Sequence, residues 1–164
     1  MASESTLLIL WHSRTGAAQA MALAAGEAGA EECAVRLIAA DDAQPADMLE
    51  AAGYLFVCPE NLASMTGAMK EFFDRCYYPL LGQIEGRPYA AMVAAGSDGA
   101  GAVRQIERIA TGWRLRRIAD SVIVCTHAQT PEEIAAHKHL EAPTLAPCRE
   151  LGAMFGAGLA MGIF

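Results

Sequence analysis

The stretch Thr6-Leu7-Leu8-Ile9-Leu10-Trp11-His12-Ser13-Arg14-Thr15-Gly16-Ala17-Ala18 sets the reading of the whole chain. Thr6–Trp11 runs apolar without alternation, the mark of a strand covered on both faces and hence of a parallel sheet. Ser13–Gly16 breaks the run, and Ala17–Gly26 has the Ala, Met and Leu content of a helix. Strand, tight loop and helix open a βαβ unit.

The same alternation continues outward. Strands are expected at 33–38, 54–58, 89–95 and 121–125, the third of them ended by Pro59, which cannot donate to a ladder. A helix is expected from Thr66 to about Tyr77, because Met69, Phe72, Phe73 and Cys76 recur at i, i+3, i+4 and i+7. Further helices fit 46–52, 102–111 and 147–158, and a short surface helix fits between Ala128 and Leu145. Five strands alternating with helices imply an α/β fold of three layers, a doubly wound five-stranded parallel sheet. The 164 residues suit a single domain.

Composition narrows the function. Hydrophobic residues make up 54% and charged residues 19%, which describes a well-filled core and not a disordered chain. A net charge of −7 argues against a nucleic-acid partner, which needs clustered Lys and Arg; Arg114, Arg116 and Arg117 are too short a cluster and read as a solvated helix end or strand edge. Five cysteines without a C-x-x-C pair suggest neither a disulfide framework nor a zinc ribbon. Residues 1–6 carry Glu4 and no basic residue, and Leu7–Trp11 is too short for a signal-peptide core, so a cytoplasmic protein is expected. Leu151–Phe164, with G-x-x-x-G spacing at Gly152/Gly156 and Gly158/Gly162, is shorter than a bilayer requires. No membrane insertion is expected; the small residues suit a last helix lying close against a sheet or against a partner subunit in a homodimer or homotetramer.

In a doubly wound sheet of strand order 2-1-3-4-5, ligands sit at the carboxyl edge between strands one and three. Three loops of unusual composition meet there. Ser13-Arg14-Thr15-Gly16-Ala17-Ala18 offers two hydroxyls and the amides of an opening helix to an anion, although the same residues also make an ordinary N-cap. Pro59-Glu60-Asn61-Leu62-Ala63-Ser64-Met65 is too long and polar for a minimal turn and offers a flat molecule backbone amides, the Asn61 and Ser64 side chains, and apolar contact from Leu62 and Met65. Gly96-Ser97-Asp98-Gly99 can wrap the edge of a heterocycle, or simply connect. Neither G-x-G-x-x-G nor G-x-x-x-x-G-K-[ST] occurs at the first loop.

With its S-x-T-G loop and the segment from Pro59 through Ser64-Met65-Thr66-Gly67-Ala68-Met69-Lys70-Glu71-Phe72-Phe73-Asp74-Arg75, the chain resembles the flavodoxin-like NAD(P)H-dependent FMN reductases and the quinone oxidoreductases named after tryptophan-repressor-binding protein. The likeness reaches about Cys125; the tail from Ala128 is less typical. The resemblance implies that Ser13, Arg14, Thr15, Gly16, Ala17 and Ala18 hold the phosphate of flavin mononucleotide (FMN), and that Pro59–Met65 and Gly96–Gly99 flank its isoalloxazine. Ala18 stands where flavodoxins usually place a threonine. Flavodoxins typically sandwich the ring between aromatic side chains, which both flanking loops lack here. An open ring face points to an oxidoreductase that takes NAD(P)H as co-substrate and passes two electrons to a quinone or similar small acceptor, with no side chain required as acid or base. The alternative is a flavodoxin-type electron carrier.

Other candidates read more plainly. His137 and His139 around Lys138 suit a solvated helix better than a metal site, and Cys58 suits packing better than redox chemistry. Glu60 reads as an exposed loop carboxylate.

Overall fold

The apolar runs become the middle of one sheet. The computed structural model describes residues 5–164; Glu4 and the rest of the acidic start lie outside the described residues. In chain order the elements are β1 (Thr6–Trp11), α1 (Ala17–Gly29), β2 (Ala34–Ala39), α2 (Pro45–Glu50), β3 (Gly53–Asn61), β4 (Ser64–Met65) and α3 (Gly67–Leu80). They continue with β5 (Pro88–Ala95), α4 (Ala100–Gly112), β6 (Arg116–Arg117), β7 (Val122–Cys125), α5 (Pro131–Ala135) and α6 (Ala142–Ala160). The strands run β2-β1-β3-β5-β6, and β7 also pairs with β5. Both β6 and β7 lie parallel to β5, so the fifth place in the sheet is filled by one interrupted strand. The doubly wound order 2-1-3-4-5 is thereby realised.

Burial follows position in the sheet. All eight residues of β5 and the first six of β3 are buried, as the unbroken apolar runs require of central parallel strands. One face packs Tyr54, Phe56, Tyr89 and Val93 against Phe72 and Phe73 of α3 and Ile106 of α4; the other packs Ile9, Leu55, Val57 and Met92 against Met21 of α1 and Phe155 of α6. Met69, Phe72, Phe73 and Cys76, picked out by their spacing, are all buried. Arg116 and Arg117 lie exposed at the sheet edge, where Arg117 pairs with Glu107 at 2.8 Å.

Two expectations need correction, both at prolines. β3 continues through Pro59 to Asn61. His12 N–H donates to the Val57 carbonyl, so residues 57 and 59 turn their polar groups toward β1, which has already ended at Trp11; Pro59 loses no ladder bond. α6 begins at Ala142 and not at Pro147. Pro143 sits in the first turn, where no donor is needed, and Pro147 costs the helix one internal bond. The small residues of α6 are consumed inside the chain: a side chain at Gly152 would run into the backbone of Ala25, and one at Gly156 into Gly29, both on α1.

Among the described residues no helix is long and apolar enough to cross a membrane.

Candidate functional site

β1 ends at the carboxyl edge of the sheet and delivers His12 through Gly16 to the start of α1. Gly16 is the N-cap with φ 101, a left-handed conformation that favours glycine. Its N–H donates to Ser13 Oγ at 3.1 Å, which folds the loop back on itself. Among the described residues α1 has no side-chain cap, so its first-turn amides point outward without a side-chain acceptor. That is the donor arrangement an anion seeks at a helix start.

His12 Nδ1 and Thr66 Oγ1 stand 2.9 Å apart, joining this loop to the start of α3. Burial pushes the His12 pKa down; Asp41 opposes the shift and Arg14 adds to it. The unfolded histidine therefore binds a proton more readily than the folded one. The stability from a neutral His12 is complete above the ordinary histidine pKa of about 6.5 and is lost as pH falls from there toward the lower folded value. Stability is expected to decline across that interval, and His12→Gln to flatten the decline, when urea midpoints are measured as a function of pH.

The three loops converge on one cleft of about 580 Å³. From the first loop Ser13, Arg14, Thr15, Ala17 and Ala18 line it, from the second Pro59, Glu60, Asn61 and Leu62, and from the third Gly96. Gly16 stands behind the rim, covered by the His137 ring, which a side chain at that position would strike. Ala63, Ser64, Met65, Ser97, Asp98 and Gly99 do not line the cleft. Met65 is buried in the core beneath it, and Ser97 and Asp98 are exposed. Gly99 is the left-handed N-cap of α4, packed against Ile123.

The second loop is not a loop. Glu60 pairs with Met65 and Asn61 with Ser64 in an antiparallel hairpin, leaving Leu62 and Ala63 as a two-residue turn. Both turn residues have positive φ, 53 and 61, as a type I′ turn demands. Neither is the Asn or Gly that tolerates it. Ala63→Gly is expected to stabilise the protein by about 0.5–1 kcal/mol through relief of the left-handed strain, measured as a rise in denaturation midpoint.

Contacts with α4 hold the hairpin in this strained form. The Glu60 carboxylate accepts from Gly99 N–H at 2.9 Å and Ala102 N–H at 3.0 Å, capping α4. Gln105 Oε1 accepts from Ser64 Oγ at 3.0 Å and Met65 N–H at 2.7 Å. Glu60 is thus a half-buried structural acceptor instead of a free loop acid. Its spacing from Gly99 carried no sequence signal.

The NADPH-dependent FMN reductase family model matches residues 40–129, more than half of the chain. The chain belongs to this family. It is also similar to a flavodoxin of Aquifex aeolicus (strain VF5), with 34% identity over 97 residues covering 58% of this chain and 52% of that protein. The chain thus spans about half the length of that curated relative. Its fold is similar to that of an archaeal flavodoxin (TM-score 0.74, 18% identity, 96% and 98% of the two chains covered). A WrbA-like flavodoxin from Agrobacterium tumefaciens also matches (TM-score 0.67, 18% identity, 96% of each chain).

For a member of the FMN reductase family, the donor set fits its cofactor. The hydroxyls of Ser13 and Thr15 and the free amides of α1 suit a phosphate at one end of the cleft, while Pro59, Leu62, Ala94, Ala95 and Ile134 give apolar walls for a flat ring. No aromatic side chain lines the cleft among the described residues. Leu62 is fully exposed at its mouth, an apolar side chain standing free in solvent. Cys58 lies below, fully buried, its thiol pushed up to about 12 by burial, and so serves as packing.

The segment after β7 contributes what sequence reasoning missed. Thr126, Ala128, Ile134, Ala135 and Lys138 form one side of the cleft. The segment leaves the sheet through hydrogen bonds from Thr126 N–H to Ala95 O and from His127 N–H to Gly96 O, turns with His127 at φ 58, and forms α5 with a Thr130/Glu133 capping box. It returns to the first loop where Lys138 N–H donates to Thr15 O at 2.7 Å. A short helix between Ala128 and Leu145 was legible from the sequence; its docking partner, Thr15, lies more than a hundred residues away and was not.

Proposed function

We propose that this chain binds FMN in the cleft and passes two electrons from NAD(P)H, by way of the flavin, to a quinone or a similar small acceptor. The observation that carries the proposal is the convergence of three distant stretches on one cleft, with anion donors at one end and apolar walls at the other. FMN, when bound, supplies the hydride-accepting and electron-donating chemistry. The chain's own residues bind, orient and shield. Ser13, Thr15 and the α1 amides take the phosphate. Pro59 and Leu62 press on the ring plane, and the polar Asn61 and backbone groups of the hairpin turn meet its edge, where amide donors favour negative charge that develops on reduction.

Among the described residues no aromatic ring lines the cleft, which supports a nicotinamide or quinone reaching a bound flavin in turn. A second reading, a flavodoxin-type carrier without NAD(P)H activity of its own, draws on the likeness to the Aquifex aeolicus flavodoxin.

The test mixes FMN-loaded protein with NADPH or NADH under anaerobic conditions and follows the flavin absorbance. Bleaching by either nucleotide, reversed by added quinone, is expected. Flavin that neither nucleotide reduces, yet dithionite does, would replace the enzyme reading with the carrier.

A further inference from the structure

We infer that Lys138 is a phosphate-binding residue of the cleft, which makes the site selective for the phosphorylated flavin over riboflavin. The inference rests on the FMN reading above and extends it to a residue outside the three loops.

Lys138 lines the cleft and is half-buried. Its ammonium group lies 3.5 Å from Thr15 Oγ1, a hydroxyl of the first loop. Its other contacts are neutral: the carbonyls of Ile134 at 2.9 Å and Ala136 at 2.5 Å. Among the described residues it has no carboxylate within ion-pairing distance, whereas six other cations, Arg36, Lys70, Arg75, Arg114, Arg117 and Arg149, each have one.

 In a chain of net charge −7, a cation left without a carboxylate beside a hydroxyl-rich loop at a helix start marks a place for an external anion. Glu133, the acid nearest in sequence on α5, is occupied by the N–H groups of Gln129 and Thr130, and Glu60 by those of α4.

The main chain already positions the side chain. Lys138 N–H holds Thr15 O, and the neighbouring His137 ring covers Gly16, so the strap is docked whatever side chain residue 138 carries. A phosphate seated on the first loop takes the ammonium group in exchange for a carbonyl contact. This also supplies a partner for the phosphate in a loop that has Ala18 in place of a hydroxyl.

The test is an equilibrium titration of wild type, Lys138→Gln and Lys138→Arg with FMN and with riboflavin, followed by flavin fluorescence, with thermal melts run alongside. Lys138→Gln is expected to weaken FMN binding about 10- to 100-fold, the range of a lost hydrogen bond to a charged group. Riboflavin binding and the melting temperature are expected to stay at wild-type values, and Lys138→Arg to retain most of the FMN affinity. Equal weakening of both flavins, or of neither, would overturn the assignment of Lys138 while leaving the FMN reading intact. A wild-type protein that binds neither flavin would overturn the FMN reading itself, and this inference with it.

Discussion

Gly101→Val is expected to destabilise the protein by about 2–3 kcal/mol and to weaken FMN binding at least tenfold, because overpacking against backbone cannot be relieved by a rotamer change. A side chain on Gly101, in the first turn of α4, would meet the carbonyl of Ala63 and the Glu60 carboxylate. The hairpin would have to lift, and lifting it separates Glu60 from the amides of Gly99 and Ala102 and Gln105 from Ser64 and Met65. Pro59 to Leu62 form a wall of the cleft, so the loss of stability and the loss of flavin affinity have one cause. Gly112→Ala, at the other end of the same helix with open space around it, is the control. Relief of glycine's backbone entropy there is expected to be neutral or to stabilise by up to about 1 kcal/mol. Urea denaturation and FMN titration of both variants check the pair of effects.

Gly152→Leu is expected to cost about 3 kcal/mol or more, the upper end for overpacking. α1 and α6 approach so closely that a side chain at Gly152 would fall on the carbonyl and Cα of Ala25. Leu151, Phe155 and Leu159 on the same helix are buried among Met21, Leu55 and Met92, and cannot keep their places if α6 is pushed outward. The damage reaches the site because α1 carries the first loop at its start. Chemical denaturation should show the loss, and FMN affinity should fall with it. A variant as stable as wild type would contradict the close packing of the two helices.

The fold was legible where one physical signal dominated. The apolar runs of β1, β3 and β5 have no alternation because both faces are covered, and they form the centre of the sheet. The helical spacing of Met69, Phe72, Phe73 and Cys76 survived because nothing else competes for that face of α3. Convergence of the three loops followed from strand order alone.

What stayed hidden depends on contacts distant in sequence. Leu62 and Ala63 carry no turn signal; tertiary bonds from Glu60 and Gln105 hold them at positive φ. In the sequence Glu60 looks like an exposed acid because the amides that occupy it belong to a helix some forty residues later. Pro59 and Pro147 were read as boundaries, yet the missing N–H of Pro59 faces no strand and that of Pro147 costs a long helix only one bond. The docking of 126–138 beside the first loop rests on main-chain bonds to Thr15, Ala95 and Gly96, which no side-chain pattern announces.

The most direct measurement is a crystal structure of the protein grown with FMN. Electron density is expected for one FMN per chain, its phosphate against Ser13, Thr15 and the start of α1 and its ring between Pro59–Leu62 and Gly96. Density for the flavin elsewhere on the molecule, or a cleft that holds only solvent at saturating FMN, would contradict this placement.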